Sequence, residues 1–261
     1  MKILVTNDDG ILADGLWTLA KELKSIAQVV VVAPDREQSA IGTAVTLSHP
    51  LRIQKVKPMV PETEAYSVQG TPADSVILAL EKLVKNEIDL VISGINQGLN
   101  LGNDVLISGT VGAALQGYLR GFPAIAISVS PMDSPYLNDV AKVAAVLAER
   151  IYSADLPANT FLNVNLPDLP LSEIKGVNVT RLAGESHIDT VEEGHDGKRQ
   201  YYWLVRQRMD KSSDDMTDIR AIEQGYISIT PLHAYLGNIP SLVSTDGFYS
   251  DLLQRLQKDQ G

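Results

Sequence analysis

The sequence predicts an α/β fold: a doubly wound, mostly parallel, Rossmann-like sheet with a β-rich C-terminal extension. Three observations carry that reading. Short β-branched apolar runs recur through the first 160 residues, amphipathic helical patterns separate them, and beyond about 160 strand patterns predominate. The runs 2–6 (KILVT), 29–33 (VVVVA), 89–93 (DLVIS) and 124–128 (AIAIS) have the continuous apolar character of parallel strands buried on both faces.

The elements between them follow from spacing. In 15–27, Leu16, Leu19, Ala20, Leu23 and Ala27 recur three and four apart, as in a crossover helix packed on a sheet. Thr71-Pro72-Ala73-Asp74 reads as a helix start, with Thr71 as N-cap, Pro72 at the first position and Asp74 near the positive dipole end. A further helix is expected from Gly109–Thr110, and another over about 137–152 through Val140, Val143, Ala144, Leu147 and Ile151. Four strand-like segments follow: 161–167 (FLNVNLP), 177–183 (VNVTRLA), 201–207 (YYWLVRQ) and 226–232 (YISITPL). The polar stretch 184–200 reads as a hairpin loop or an arm reaching a neighbouring subunit. A last helix over about 246–258 carries Phe248, Leu252, Leu253 and Leu256 on one side and needs a partner for that face. The division expected is a Rossmann-like core (1–160) that binds metal and phosphate, and a β-rich portion (161–261) integrated with it that serves oligomerisation.

Composition narrows the chemistry. At 261 residues, 44% hydrophobic and 21% charged, the chain can bury a large core. No apolar run approaches the roughly 18 residues of a membrane span, and the opening Met-Lys-Ile-Leu-Val-Thr lacks signal-peptide architecture, so a cytoplasmic location and no membrane partner are expected. The absence of cysteine removes disulfides, thiolate metal sites and cysteine nucleophiles. A net charge of -10 disfavours a nucleic-acid polymer, which needs many Lys and Arg contacts, but not a small anion. The acids Glu192, Glu193, Asp196, Asp210, Asp214, Asp215 and Asp218 read as a solvated surface.

In an open parallel sheet, ligands lie beyond the carboxyl ends of the strands. After the first strand, Asn7-Asp8-Asp9-Gly10 places two acids in one turn, which repel unless a cation neutralises them; a hard divalent ion suits them, although a capping Asp followed by a turn Asp has the same letters. After the second, the long loop 33–42 holds Asp35, Arg36, Glu37 and Ser39, whose hydroxyl suits a metal or ligand, or is simply a polar loop group. The third is followed by a glycine- and asparagine-rich loop, 94–104, in which Asn96 offers an amide oxygen; a surface loop is the alternative. Ser108-Gly109-Thr110 then enters a helix whose free N–H groups suit an anion, with Thr110 as either ligand contact or cap. Together these features point to metal-assisted hydrolysis of a phosphate ester. His233, just after the last strand segment, is the histidine best placed to protonate the leaving oxygen, or else a packed or surface histidine.

The segments ILVTNDDG, VAPDREQSA, TLSHPLR, QGTPADSV, DLVISGIN, GLNLGNDVLISGTVGAA and GFPAIAIS, followed by TDIRAIEQGYISITPL, resemble the SurE family of nucleotide phosphatases over residues 3 to about 233. The resemblance implies one divalent ion per subunit, such as Mg²⁺ or Mn²⁺, on Asp8, Asp9, Ser39 and Asn96. It implies phosphate held by Ser108, Gly109 and Thr110; with His233, read from its position alone, Asp8, Asp9 and Asn96 are taken as the catalytic set. It further implies hydrolysis of nucleoside 5′- and often 3′-monophosphates, trimming of short polyphosphate in some members, and homodimers or homotetramers that exchange C-terminal elements. Many members carry a serine in the segment matching 42–47, where this chain has Thr43 followed by Ala44; the departure bears on substrate preference and spares the metal set.

Two alternatives to metal-activated water remain at this stage: an aspartyl-phosphate formed on Asp8 or Asp9, for which the usual Asp-x-Asp pairing is missing, and a non-catalytic nucleotide-binding module. A dinucleotide-binding oxidoreductase is disfavoured because no Gly-x-Gly-x-x-Gly follows the first strand, and a P-loop switch because no Gly-x4-Gly-Lys-Ser/Thr occurs.

Overall fold

The computed structural model describes residues 1–84, 87–130, 133–153, 157, 159–184, 188–206 and 216–234. In chain order these form β1 (Lys2–Thr6), α1 (Asp14–Leu23), β2 (Gln28–Pro34), β3 (Ile53–Lys55), β4 (Glu64–Val68), α2 (Pro72–Leu78), β5 (Leu90–Gln97), α3 (Gly109–Leu119), β6 (Ala124–Val129), α4 (Leu137–Tyr152), β7 (Phe161–Leu166), β8 (Val177–Val179), β9 (Ile188–His195), β10 (Gln200–Arg206), α5 (Asp218–Glu223) and β11 (Ile227–Pro231).

A nine-stranded sheet has the order β3-β4-β2-β1-β5-β6-β7-β11-β8. The strands from β4 to β7 are parallel; β3 joins β4 antiparallel at one edge, and β11 joins β7 antiparallel near the other. The doubly wound reading holds. Ile3, Val5, Val31 and Ile92 pack on one face with α1 and α4, while Leu4, Val30, Val32 and Val91 pack on the other with α2 and α3. Such two-faced burial is why these strands read as unbroken apolar runs.

Close approach of helices to the sheet is set by glycine. A Cβ on Gly15 of α1 would lie 2.3 Å from the Ile95 carbonyl oxygen, and one on Gly117 of α3 would lie 2.8 Å from the Val91 side chain. The chain leaves β1 toward α1 on one face and leaves the adjacent β5 toward α3 on the other, so winding reverses between the tips of β1 and β5. A cleft opens at such a switch point.

Several expectations change. β3 and β4 were not foreseen: EAYSV mixes Glu64 and Ser67 with apolar residues, because a strand at the sheet margin need not be apolar on both faces. The strand expected over 201–207 does not extend the main sheet: among the described residues β10 pairs only with β9, in a separate two-stranded hairpin, so the arm spans 188–206 rather than 184–200. Asp218 is not a solvated acid. It is 0% exposed, and its carboxylate accepts N–H bonds from Gly102 (2.8 Å), Ala183 (2.9 Å) and Ile219 (2.9 Å), tying the loop after β5 to the start of α5. Asp210, Asp214 and Asp215, and the helix expected over 246–258, lie outside the described residues. Among the described residues no helix is long and apolar enough to cross a membrane.

An Asp218→Asn variant would turn an amide N–H group toward backbone donors in a site closed to water. The expected loss is about 2–3 kcal/mol in urea unfolding; a loss below about 0.5 kcal/mol, the range of surface substitutions, would show that this carboxylate does not hold the loop.

Candidate active site

The tip of β1 is built by Asn7 and Gly10. The Asn7 side chain donates to the Gly10 carbonyl (3.1 Å) and accepts the Gly10 N–H (3.2 Å), closing a turn around Asp8 and Asp9. Gly10 has φ +98° and packs against the Arg36 backbone, where a Cβ would lie 2.9 Å from the Arg36 carbonyl carbon. This turn therefore needs glycine both for its conformation and for space.

Three other segments converge on the two acids. From the loop after β2, the Gln38 N–H donates to the Asp8 carbonyl (2.7 Å), and Glu37 raises the proton affinity of both aspartates through its charge. From the end of β5, the Gln97 backbone N–H donates to the Asp9 carboxylate, one residue beyond Asn96. From the start of α3, the Thr110 hydroxyl donates to Asp8 Oδ1, and a Cβ on Gly109 would sit 2.8 Å from the Asp8 Cβ. The segments that carry the predicted residues thus converge on Asp8 and Asp9, through Gln38, Gln97, Gly109 and Thr110.

Roles within the 108–110 segment divide more finely than the sequence suggested. Ser108 is the N-cap, its Oγ accepting the Val111 N–H (3.1 Å), so Thr110 is not the cap and its hydroxyl serves Asp8 instead. Of the first-turn N–H groups at the positive end of α3, that of Thr110 donates to the Asp8 carboxylate and that of Gly109 has no intrahelical acceptor. They face the segment that carries Asp8, an arrangement suited to a phosphoryl group bridging the helix start and a cation.

The acids are strained electrostatically. Asp8 is buried, and desolvation raises its pKa against the lowering effect of the Thr110 hydroxyl. For Asp9, desolvation first, then the neighbouring charges of Asp8 and Glu37, push the pKa up to about 7. Its Oδ2 is buried without a hydrogen-bond partner. A divalent cation would answer all three conditions.

The neutral donors fit as well. The Asn96 amide nitrogen is engaged by the Gly98 carbonyl, which leaves Oδ1 for a ligand; the Ser39 hydroxyl donates to Glu37 Oε1 (2.7 Å) and keeps its lone pairs. Among the described residues no group of three or more His, Cys, Asp or Glu side chains is arranged as a metal cage. The set here is two carboxylates with neutral oxygens, the pattern of a hard ion that retains water or substrate oxygens.

His233 lies elsewhere. It lines a cavity of about 780 Å³ along α3, which Ser108 also lines and which Asp8, Asp9, Ser39 and Asn96 do not. Glu37 is the site residue that sequence reading assigned no role, although it stands two positions from Ser39 in the loop already marked as functional.

Comparison with known proteins places this geometry in a family. The model described as "Survival protein SurE" matches residues 3–189. The chain is 55% identical over 255 residues to the 5′-nucleotidase SurE of Dehalococcoides mccartyi strain CBDB1, covering 97% of this chain and 96% of the relative. It is 43% identical to the 5′-nucleotidase SurE of Vibrio vulnificus strain CMCP6, covering 94% of each. The crystal structure of the SurE protein from Aquifex aeolicus superposes with a TM-score of 0.82 at 36% identity, over 95% of this chain and 99% of that one.

The raised Asp9 pKa makes a signed prediction for the protein held in chelator. A carboxyl whose folded pKa exceeds its unfolded value contributes most stability below the unfolded value, near 4, and loses that contribution as pH rises to about 7. Asp9→Asn removes the penalty. Its stability advantage over the parent should therefore grow between pH 4 and 7 and level off above, as read by thermal unfolding in EDTA; an advantage independent of pH would contradict the charge crowding.

Proposed function

This chain belongs to the SurE family and is a 5′-nucleotidase, and we propose that it hydrolyses nucleoside monophosphates at the tip of β1 with one divalent metal ion per subunit. The observation that carries the metal reading is the orphaned, buried Asp9 oxygen beside a second carboxylate, with Asn96 at the end of β5 and Ser39 in the loop after β2 offering neutral oxygens. When bound, the ion supplies a Lewis acid that polarises water and offsets charge on the phosphoryl oxygens.

The chain's own residues do the rest. Asp8 and Asp9 hold the ion, with Asn96 and Ser39 completing its protein ligands. Thr110 fixes the Asp8 carboxylate through its hydroxyl. The positive end of α3, with the Gly109 N–H, receives the phosphoryl oxygens and stabilises the charge they gain as the ester breaks. His233, on the wall of the cavity that begins at Ser108, is the group proposed to give a proton to the departing nucleoside oxygen.

Covalent attack by aspartate fits the site less well. Asp8 is 4% exposed and already bonded to Thr110, and both acids are placed to neutralise a cation. Activity toward 3′-monophosphates and short polyphosphates belongs to the same proposal, since both present a phosphoryl group to the same donors.

Self-association is proposed through the β9–β10 hairpin. A two-stranded hairpin is marginal by itself, yet it exposes Tyr202 (60%), Trp203 (66%) and Leu204 (74%). A second copy covering these residues would give the homodimer or homotetramer expected from the sequence.

Two outcomes test the proposal. Phosphate release from AMP or GMP should stop in EDTA and return with Mg²⁺ or Mn²⁺, and Asp9→Asn should lower kcat about a hundredfold or more; normal turnover in EDTA, or labelled phosphate trapped on the protein, would overturn it. Leu204→Glu should shift the sedimentation coefficient toward the monomer, whereas a parent protein already monomeric would remove the hairpin interface.

A further inference from the structure

The cavity along α3 is lined by none of Asp8, Asp9, Ser39 and Asn96, and its position indicates what it holds. Ser108 caps the helix whose first-turn N–H groups face the phosphate site. Ser108, Val111, Leu115 and Leu119 form one stripe of that helix and run into the cavity. An ester seated with its phosphoryl group at the helix start has this groove beside its organic part. At about 780 Å³ the cavity falls within the roughly 300–1,000 Å³ typical of small-molecule sites. Its walls are largely apolar, suited to a flat aromatic ring.

One polar group at its edge is fixed in place. The Thr43 hydroxyl accepts from the Gln116 amide nitrogen (3.0 Å), and the Gln116 amide oxygen is in turn held by Arg120 (2.7 Å), which settles the orientation of the amide. With its oxygen engaged as acceptor, the Thr43 hydroxyl keeps its proton for a ligand acceptor. The loop bearing Thr43 is pinned on both sides: Gly42 N–H donates to the Ile107 carbonyl (2.8 Å), and the Thr71 hydroxyl at the cap of α2 donates to the Ala44 carbonyl (2.7 Å). Gly112 lets the two segments touch, since a Cβ there would lie 2.4 Å from the Gly42 carbonyl oxygen.

We propose that this cavity receives the base of the nucleotide and that Thr43 is a specificity-determining contact, donating to a ring nitrogen or carbonyl oxygen of the base. The proposal rests on the nucleotidase reading of the adjoining site and names the subsite through which a nucleotide is told from a sugar phosphate or polyphosphate.

The test uses the full chain and two readouts. By calorimetry, adenosine or guanosine, which lack phosphate, should bind saturably to the parent protein. Leu115→Trp, which fills the groove, and Thr43→Val, which removes the donor, should each weaken the nucleoside that binds about tenfold. In steady-state kinetics the ratio of kcat/KM for AMP and GMP to that for ribose 5-phosphate should fall about tenfold in both variants, and Thr43→Ser, which keeps the hydroxyl, should recover most of it. Thr43 is exposed on a loop, so its variants remain informative if Leu115→Trp folds poorly. Absence of nucleoside binding by the parent, or an unmoved ratio in Thr43→Val, overturns the proposal. A parent that hydrolyses none of these esters refutes the nucleotidase reading instead, and nucleoside binding then decides this inference alone.

Discussion

Two aspartates held side by side at the end of a buried strand are an unfavourable arrangement in the absence of a counter-charge, and the surrounding structure keeps them there. Strand β1 delivers them to the point where winding of the sheet reverses. The Asn7–Gly10 turn denies them room to separate, while Gln38 and Gln97 fix one from each side through the backbone. Only Asp8 has a side-chain donor, Thr110, and the Asp9 oxygen left over is buried. Folding energy supplied by the core on both sides of the sheet sustains this local repulsion, as is common where a site is preorganised for a charge it will receive.

The same constraint explains why α3 begins where it does. Gly109 is the one residue type that lets the helix start rest on the Asp8 side chain, and Ser108 caps that helix without occupying the N–H groups nearest the acids. The paired carboxylates and the positive end of α3 are thereby set against each other, and an apolar cavity continues from Ser108. The loop after β5 is held from below by buried amides: Asn165 accepts the Asn100 N–H (2.9 Å), Asn163 donates to the Asn100 carbonyl (2.8 Å), and Asp218 holds Gly102. Distant residues in β7 and α5 thus fix the stretch of chain leading into α3.

Much of this was legible in the letters because it rests on local rules. Buried parallel strands announce themselves as apolar runs, Thr71 caps a helix with Pro72 at its first position as the letters predict, Asp74 closing a capping box there, and the helix over 137–152 appears with those bounds. The candidate site was legible in outline because ligand groups of such a sheet gather at its strand ends and helix starts: Asp8 and Asp9 follow β1, Asn96 stands near the end of β5, and Ser108–Thr110 open α3. What escaped depends on tertiary partners. Nothing near Asp218 in the chain shows that three N–H groups will surround it. The β10 segment has the composition of a core strand and becomes one only if the sheet has a place for it. The exchange of roles between Ser108 and Thr110 depends on Asp8, which is remote in sequence.

The proposed substrate chemistry follows from three features: a buried, unpartnered carboxylate oxygen for a cation, the positive end of α3 for a phosphoryl group, and a threonine hydroxyl at the edge of an apolar cavity for a base. The first of these is the premise for the others. Anomalous diffraction from crystals grown with Mn²⁺ tests it most directly. The account predicts one manganese peak per chain, within coordination distance of the Asp8 and Asp9 carboxylates; a well-occupied peak elsewhere, with the β1 tip vacant, would contradict it.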